Sequence, residues 1–101
     1  MAVMLQILDD EITAHLSGEI DHHLAKDLRE QIDGACQRNL PKRLILNFHD
    51  VTFMDSSGMG LVMGRYKKAK QVGCAVEVSG ASGRVRNMLS ISGITKLVEL
   101  R

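Results

Sequence analysis

Arg43-Leu44-Ile45-Leu46-Asn47-Phe48, then His49-Asp50 and Val51-Thr52-Phe53-Met54-Asp55-Ser56-Ser57-Gly58-Met59-Gly60, is the stretch that decides the fold. The run Leu44, Ile45, Leu46 lacks polar alternation, the pattern of a strand buried on both faces and therefore of a central strand. Polar His49 and Asp50 interrupt the run before Val51 to Met54 delivers the chain to Asp55. There the period changes. Met59, Val62, Met63, Tyr66 and Ala69 fill one arc at helical spacing, out to about Val72 with Gly73 beyond it.

Working outward, Pro41 closes an earlier helical pattern in which Leu24, Leu28, Ile32 and Cys36 recur at i, i+4, with Ala25 and Ala35 beside them. Asp21 is a good N-cap for that helix. Before it, Val3, Leu5 and Ile7 alternate, Asp9 and Asp10 form an acidic turn, and Ile12, Ala14 and Leu16 resume the alternation, the pattern of a hairpin. On the other side Cys74, Val76 and Val78 alternate as a strand. Ser82 caps a short third helix carrying Val85, Met88 and Leu89, Gly93 closes it, and Leu97 to Leu100 reads as a last strand. Helices that alternate with strands imply right-handed crossovers. The expected fold is α/β: a mixed, mostly parallel sheet of about five strands, an N-terminal antiparallel hairpin, and helices after the central strands.

The 101 residues make up one domain's length, 1–101, without repeats or linkers. Hydrophobic residues at 45% and charged residues at 25% suit a globular chain. Thirteen Lys and Arg against twelve Asp and Glu leave a formal net charge of +1, too little to hold a phosphate backbone. With aromatics at 3%, the stacking platforms of single-strand binders are missing as well. Nucleic acid is thus not an expected direct partner. The start of the chain, Met1 to Ile7, lacks the basic segment and apolar run of a signal peptide, and no apolar run approaches the roughly 20 residues that span a bilayer. No membrane partner is expected, and a cytoplasmic location is. Cys36 and Cys74 have no metal-ligand or redox-pair spacing, so both are expected as buried small hydrophobes.

Chemistry concentrates at Asp55-Ser56-Ser57-Gly58, where a strand gives way to a helix. The unpaired N–H groups and positive dipole end of a helix N-terminus favour anions, so a phosphate on either hydroxyl is physically reasonable; the plain alternative is that Asp55 or a serine only caps the helix. Gly58, Gly60 and Gly64 each cost roughly 1 kcal/mol relative to Ala inside a helix. Either a partner's backbone approaches there, or the glycines let the helix pack tightly on the sheet. Ser56, Gly60, Met63 and Lys67 share one edge of the arc. A catalytic role is not indicated: neither serine lies in a Gly-x-Ser-x-Gly elbow, and nothing places His15, His22, His23 or His49 beside them. Adjacent His22 and His23 diverge on a helix and make a poor metal site. No metal or cofactor is expected.

Phe53-Met54-Asp55-Ser56-Ser57-Gly58-Met59-Gly60, with Gly64-Arg65-Tyr66-Lys67 after it, resembles the anti-sigma factor antagonists of the STAS fold. Gly18-Glu19-Ile20-Asp21-His22-His23 and Ile91-Ser92-Gly93-Ile94 match the same family, so the likeness covers nearly the whole chain and is strongest to its sporulation branch. The resemblance implies a regulator, not an enzyme. Unphosphorylated, it would bind an anti-sigma factor that is also a serine protein kinase and so release the sigma factor; the kinase would switch it off by phosphorylation, and a PP2C-type phosphatase would reverse this. The family's acceptor is the serine after the Asp, which is Ser56. Asp55 would help position it, Asp21 and Met59 would lie near the docking surface, and Ser57, Gly58, Gly60 and Met63 complete the expected partner-binding set. The rival reading is a small GTP- or ATP-binding signalling domain, since Gly58-Met59-Gly60 with Gly64 loosely resembles a dinucleotide fingerprint; its third glycine falls one position late and no acidic partner follows.

Overall fold

Polar turn residues and two-residue alternation build the opening hairpin. In the computed structural model, which describes residues 3–101, β1 (Val3–Leu8) and β2 (Glu11–Ile20) pair antiparallel across Asp9-Asp10. Met1 and Ala2 lie outside the described residues. The remaining elements are α1 (His22–Asn39), β3 (Arg43–Met54), α2 (Ser56–Gln71), β4 (Ala75–Ser79), α3 (Gly83–Ile91) and β5 (Glu99–Leu100). The sheet order is β1-β2-β3-β4-β5, with every pair after the hairpin parallel, as the alternating pattern predicts.

Each crossover from β2 onward moves one strand in the same direction, so right-handed connections place the three helices on one face. There Ile12, Ala14 and Leu16 of β2, Leu44, Leu46 and Phe48 of β3, and Val76 and Val78 of β4 meet Leu28 and Ile32 of α1, Leu61 and Val62 of α2, and Val85 and Leu89 of α3. The other face is held by charge. Arg43 Nε donates to Glu11 Oε1 at 2.9 Å and its Nη1 reaches Glu77 Oε1 at 3.3 Å, while Arg101 Nη2 meets Glu77 Oε2 at 2.9 Å. This ladder ties four neighbouring chain segments and buries Glu77 with its charge satisfied, as a buried carboxylate requires.

Four expectations need correction. First, His49 and Asp50 do not interrupt the central strand: β3 is continuous over twelve residues. Two register shifts against β2, between His15 and Ser17 and between Gly18 and Glu19, absorb the extra length and leave His49 and Asp50 exposed. Gly18 sits at the second shift with φ of 86°, a conformation open to glycine at little cost. Second, the buried arc of α2 is Gly58, Leu61, Val62, Arg65 and Ala69, with Met59, Met63 and Tyr66 only half-buried. The helix is rolled because Gly58 presses onto Met54 and because Arg65 is neutralised inside by Asp33 of α1, Nε to Oδ1 at 2.8 Å. Third, the last strand begins only at Glu99, after a 3₁₀ turn over Ile94–Lys96, and Ser82 occupies the N-cap position of α3 without a capping side-chain bond.

Fourth, Cys74 is buried as expected but Cys36 is half-buried. Desolvation, the leading cause, pushes the Cys36 thiol up to about 11, with Cys74 and Asp33 nearby adding to it. A thiol raised above its ordinary 9.0 stays protonated and unreactive through neutral pH. Alkylation of Cys36 by iodoacetamide should therefore be slow at pH 7.5 and keep accelerating through pH 9 towards 11. A rate that levels off near pH 9 would contradict this account.

Candidate partner-docking and modification site

The carboxyl ends of β2 and β3 bring two helix starts together. Ile20 pairs with Met54, so the residues that follow, Asp21 and Asp55, stand side by side, and the Asp55 N–H donates to the Ile20 carbonyl at 3.1 Å. Both are N-caps in extended backbone. The Asp21 carboxylate accepts from the Leu24 N–H at 2.8 Å, and the Asp55 carboxylate from the Ser57 N–H at 2.8 Å. The Leu24 N–H, the largest influence, holds the exposed Asp21 carboxyl below its ordinary 3.8. The caps satisfy donors that helix starts leave unpaired and place two positive dipole ends next to one another.

The two serines differ in this setting. Ser56 is the first residue of α2, is exposed, and has a hydroxyl without a partner among the described residues. Ser57 is half-buried and its N–H is already taken by Asp55. Gly58 is buried, donating its N–H to the Asp55 carbonyl at 3.0 Å. Sequence alone left these two hydroxyls equivalent; burial on the rolled helix separates them.

The glycines also divide. A Cβ on Gly58 would stand 2.6 Å from Met54 Sδ and 3.0 Å from Met54 Cβ, so tight packing on the sheet explains that position. A Cβ on Gly60 or Gly64 would meet nothing within 4 Å. Packing does not account for those two. Since Gly58, Gly60 and Gly64 all lie within α2, they form no loop of free backbone N–H groups ahead of a helix, the arrangement that cradles nucleotide phosphates.

Ser56, Gly60 and half-buried Met59 and Met63 share an outward edge of α2. Beside it lies an apolar residue absent from the expected set: Leu97 is 46% exposed and borders Met63 and Tyr66 in a crevice. Assigned by pattern to the last strand, Leu97 is turned outward by the 3₁₀ turn that precedes it. The site is thus one exposed hydroxyl in a positive dipole field, ringed by Met side chains and two glycines of bare helix. Among the described residues no group of three or more His, Cys, Asp and Glu could hold a metal ion, and no helix is long and apolar enough to cross a membrane.

Comparison with known proteins agrees with this architecture. The family model described as STAS domain matches residues 2–101. The chain is 37% identical over 89 residues to the anti-sigma F factor antagonist of Paenibacillus polymyxa, covering 88% of this chain and 76% of that protein. The structure of the anti-sigma factor antagonist SpoIIAA in its unphosphorylated form superposes with a TM-score of 0.87 at 31% identity, over 99% of this chain and 88% of that one. The Bacillus cell fate determinant SpoIIAA in its phosphorylated form gives a TM-score of 0.79 at 30% identity, over 99% and 91%. By fold, sequence and length of match, the chain belongs to the STAS domain family.

Proposed function

We propose that this protein is an anti-sigma factor antagonist working by partner switching in the cytoplasm. Unphosphorylated, it binds an anti-sigma factor that is also a serine protein kinase, through the outward edge of α2 and the neighbouring start of α1, and so frees the sigma factor. The kinase phosphorylates Ser56, and a PP2C-type phosphatase removes the phosphate. The observation that carries this reading is Ser56 itself, an exposed first-turn hydroxyl without a partner beside the Asp55 cap. It gains weight because a relative with the same fold has been solved in both phosphorylated and unphosphorylated forms.

Each proposed contact has a physical task. Asp55 holds the first turn in place through the Ser57 N–H, which fixes where the Ser56 hydroxyl stands. Asp21 does the same for α1 through Leu24 and adds a negative charge beside Asp55. Met59 and Met63 offer adaptable apolar surface, a common use of methionine at binding faces. Gly58 draws α2 onto the sheet, and Gly60 leaves helix backbone bare for a partner. The direct test is release: the unphosphorylated protein, added to a purified complex of anti-sigma factor and sigma factor, should displace the sigma factor. Persistence of that complex at saturating antagonist would refute the proposal.

Gly60 separates this reading from a passive one. With open space at the Cβ position, Gly60→Ala should raise stability by about 0.5–1 kcal/mol, the usual helix preference. It should also weaken anti-sigma binding measurably, by putting a methyl group where the partner approaches. Chemical denaturation and calorimetric titration on the same variant check both. A variant that is stabilised and binds as well as wild type would remove Gly60 from the interface.

A further inference from the structure

A cavity of about 300 Å³ lies between the later halves of α1 and α2 and the start of β3, at the opposite end of α2 from Ser56. Leu40, Pro41, Leu44, Ala69 and Val72 form its apolar wall with Cys36 and Cys74, and Asp33, Gln37, Lys68 and Gln71 line the rest beside Arg65. Leu40 and Val72 are more than 70% exposed, so apolar side chains also flank its mouth. Two cations line the cavity. Lys68 is exposed, whereas the Arg65 side chain is only 4% exposed.

Arg65 is poorly served by the protein around it. Its sole partner among the described residues is Asp33, met by Nε at 2.8 Å with the N–H out of line, so the contact is an ion pair without a directed hydrogen bond. A guanidinium carries five N–H donors in a planar fork, and here no described residue accepts from its terminal nitrogens. Asp33 is further shared with Lys68, whose Nζ stands 3.1 Å from Oδ2. One carboxylate thus faces two cations, and nearby Arg29 adds further positive charge. Nε is the buried donor left without an acceptor among the described residues, and an incoming anion would accept from the terminal nitrogens and balance the surplus positive charge.

We propose that this cavity is a binding site for a small monocarboxylate with an aliphatic tail. The planar carboxylate engages the free edge of the Arg65 guanidinium in the two-pronged geometry that suits it. The tail lies along Leu44 and Ala69 and leaves past Leu40 and Val72. The volume stands at the lower end of the roughly 300–1,000 Å³ typical of ligand pockets, which favours a small acid over a nucleotide. The site is separate from the docking edge and does not depend on the switching role.

The test is an amide-resolved NMR titration of the wild-type protein at constant ionic strength with sodium octanoate, octan-1-ol and sodium acetate. Octanoate should give saturable shifts around Leu44, Arg65 and Ala69 and slow the alkylation of Cys36. Octanol and acetate, each lacking one half of the recognition, should bind at least about tenfold more weakly. Arg65→Gln should lose octanoate binding by a similar factor, with Arg65→Lys retaining part of it. The wild-type ligand series decides the matter even where a buried Arg65 variant fails to fold. Equal binding of octanol and octanoate would overturn anion recognition, and unsaturable or scattered shifts would overturn the site.

Discussion

Phosphorylation of Ser56 is expected to weaken binding to the anti-sigma partner by at least about a hundredfold, and Ser56→Asp by about tenfold, with neither change altering the fold. A phosphate adds about −1.5 to −2 charges, taking the chain from a formal +1 to about −1. The added charge stands at the first position of α2, next to the Asp55 carboxylate and near that of Asp21. In the free protein the dipole end of α2 welcomes an anion by roughly 0.3–1 kcal/mol, so the folded state tolerates the modification. A docked partner has no such relief, since it must desolvate the phosphate against two carboxylates already there. Like charges brought together in an interface cost several kcal/mol, and each 1.4 kcal/mol is a factor of ten in affinity. Calorimetric titration of the phosphoprotein, Ser56→Asp and Ser56→Ala against the anti-sigma factor reads the effect, with amide spectra as the control on fold. Ser56→Ala should bind close to wild type. Undiminished binding by the phosphoprotein, or loss of binding by Ser56→Ala, would refute local charge as the cause.

Gly58→Val is expected to cost about 2–3 kcal/mol of stability, in the range for overpacking a filled core. The new Cβ alone would sit 2.6 Å from Met54 Sδ and 3.0 Å from Met54 Cβ. Met54 is 1% exposed at the end of β3, and although its Sδ can turn aside its Cβ is fixed to the strand, so relief is expected from α2 lifting at its first turn. Lifting that turn disturbs the Asp55 cap and the setting of Ser56, so phosphorylation by the kinase should slow as well. Adding Met54→Ala should recover part of the stability, because the two changes act on one contact and are not additive. Urea denaturation of the two single variants and the double variant measures this. A Gly58→Val protein as stable as wild type, or a double variant no better than the sum of its parts, would show that the contact does not set the helix position.

Strands and helices were legible where side chains obey one period. The alternation of Ile12, Ala14 and Leu16 and the run Leu44 to Leu46 both mark core strands, and Asp21 and Asp55 mark both helix starts. Legibility failed where a distant element changes what a position requires. His49 and Asp50 look like a loop because polar neighbours break an apolar run, yet shifted pairing with β2 holds them in β3. Arg65 lies outside the apolar arc read from spacing, and only Asp33, thirty-two positions earlier, makes it an interior residue. That hidden ion pair rolls α2 and leaves Met59 and Met63 half-buried at its edge. That Ser56 is exposed and Ser57 half-buried is likewise a matter of helix placement, which spacing alone does not express.

The measurement that bears most directly on the switch is incubation of the protein with ATP and its anti-sigma serine kinase, followed by mass mapping of the modified residue. The account predicts a single phosphate on Ser56, absent in Ser56→Ala and accompanied by loss of kinase binding. Modification at Ser57 with Ser56 untouched would contradict the site. No modification at all, or a Ser56 phosphoprotein that still binds the kinase and still frees the sigma factor, would contradict the switch.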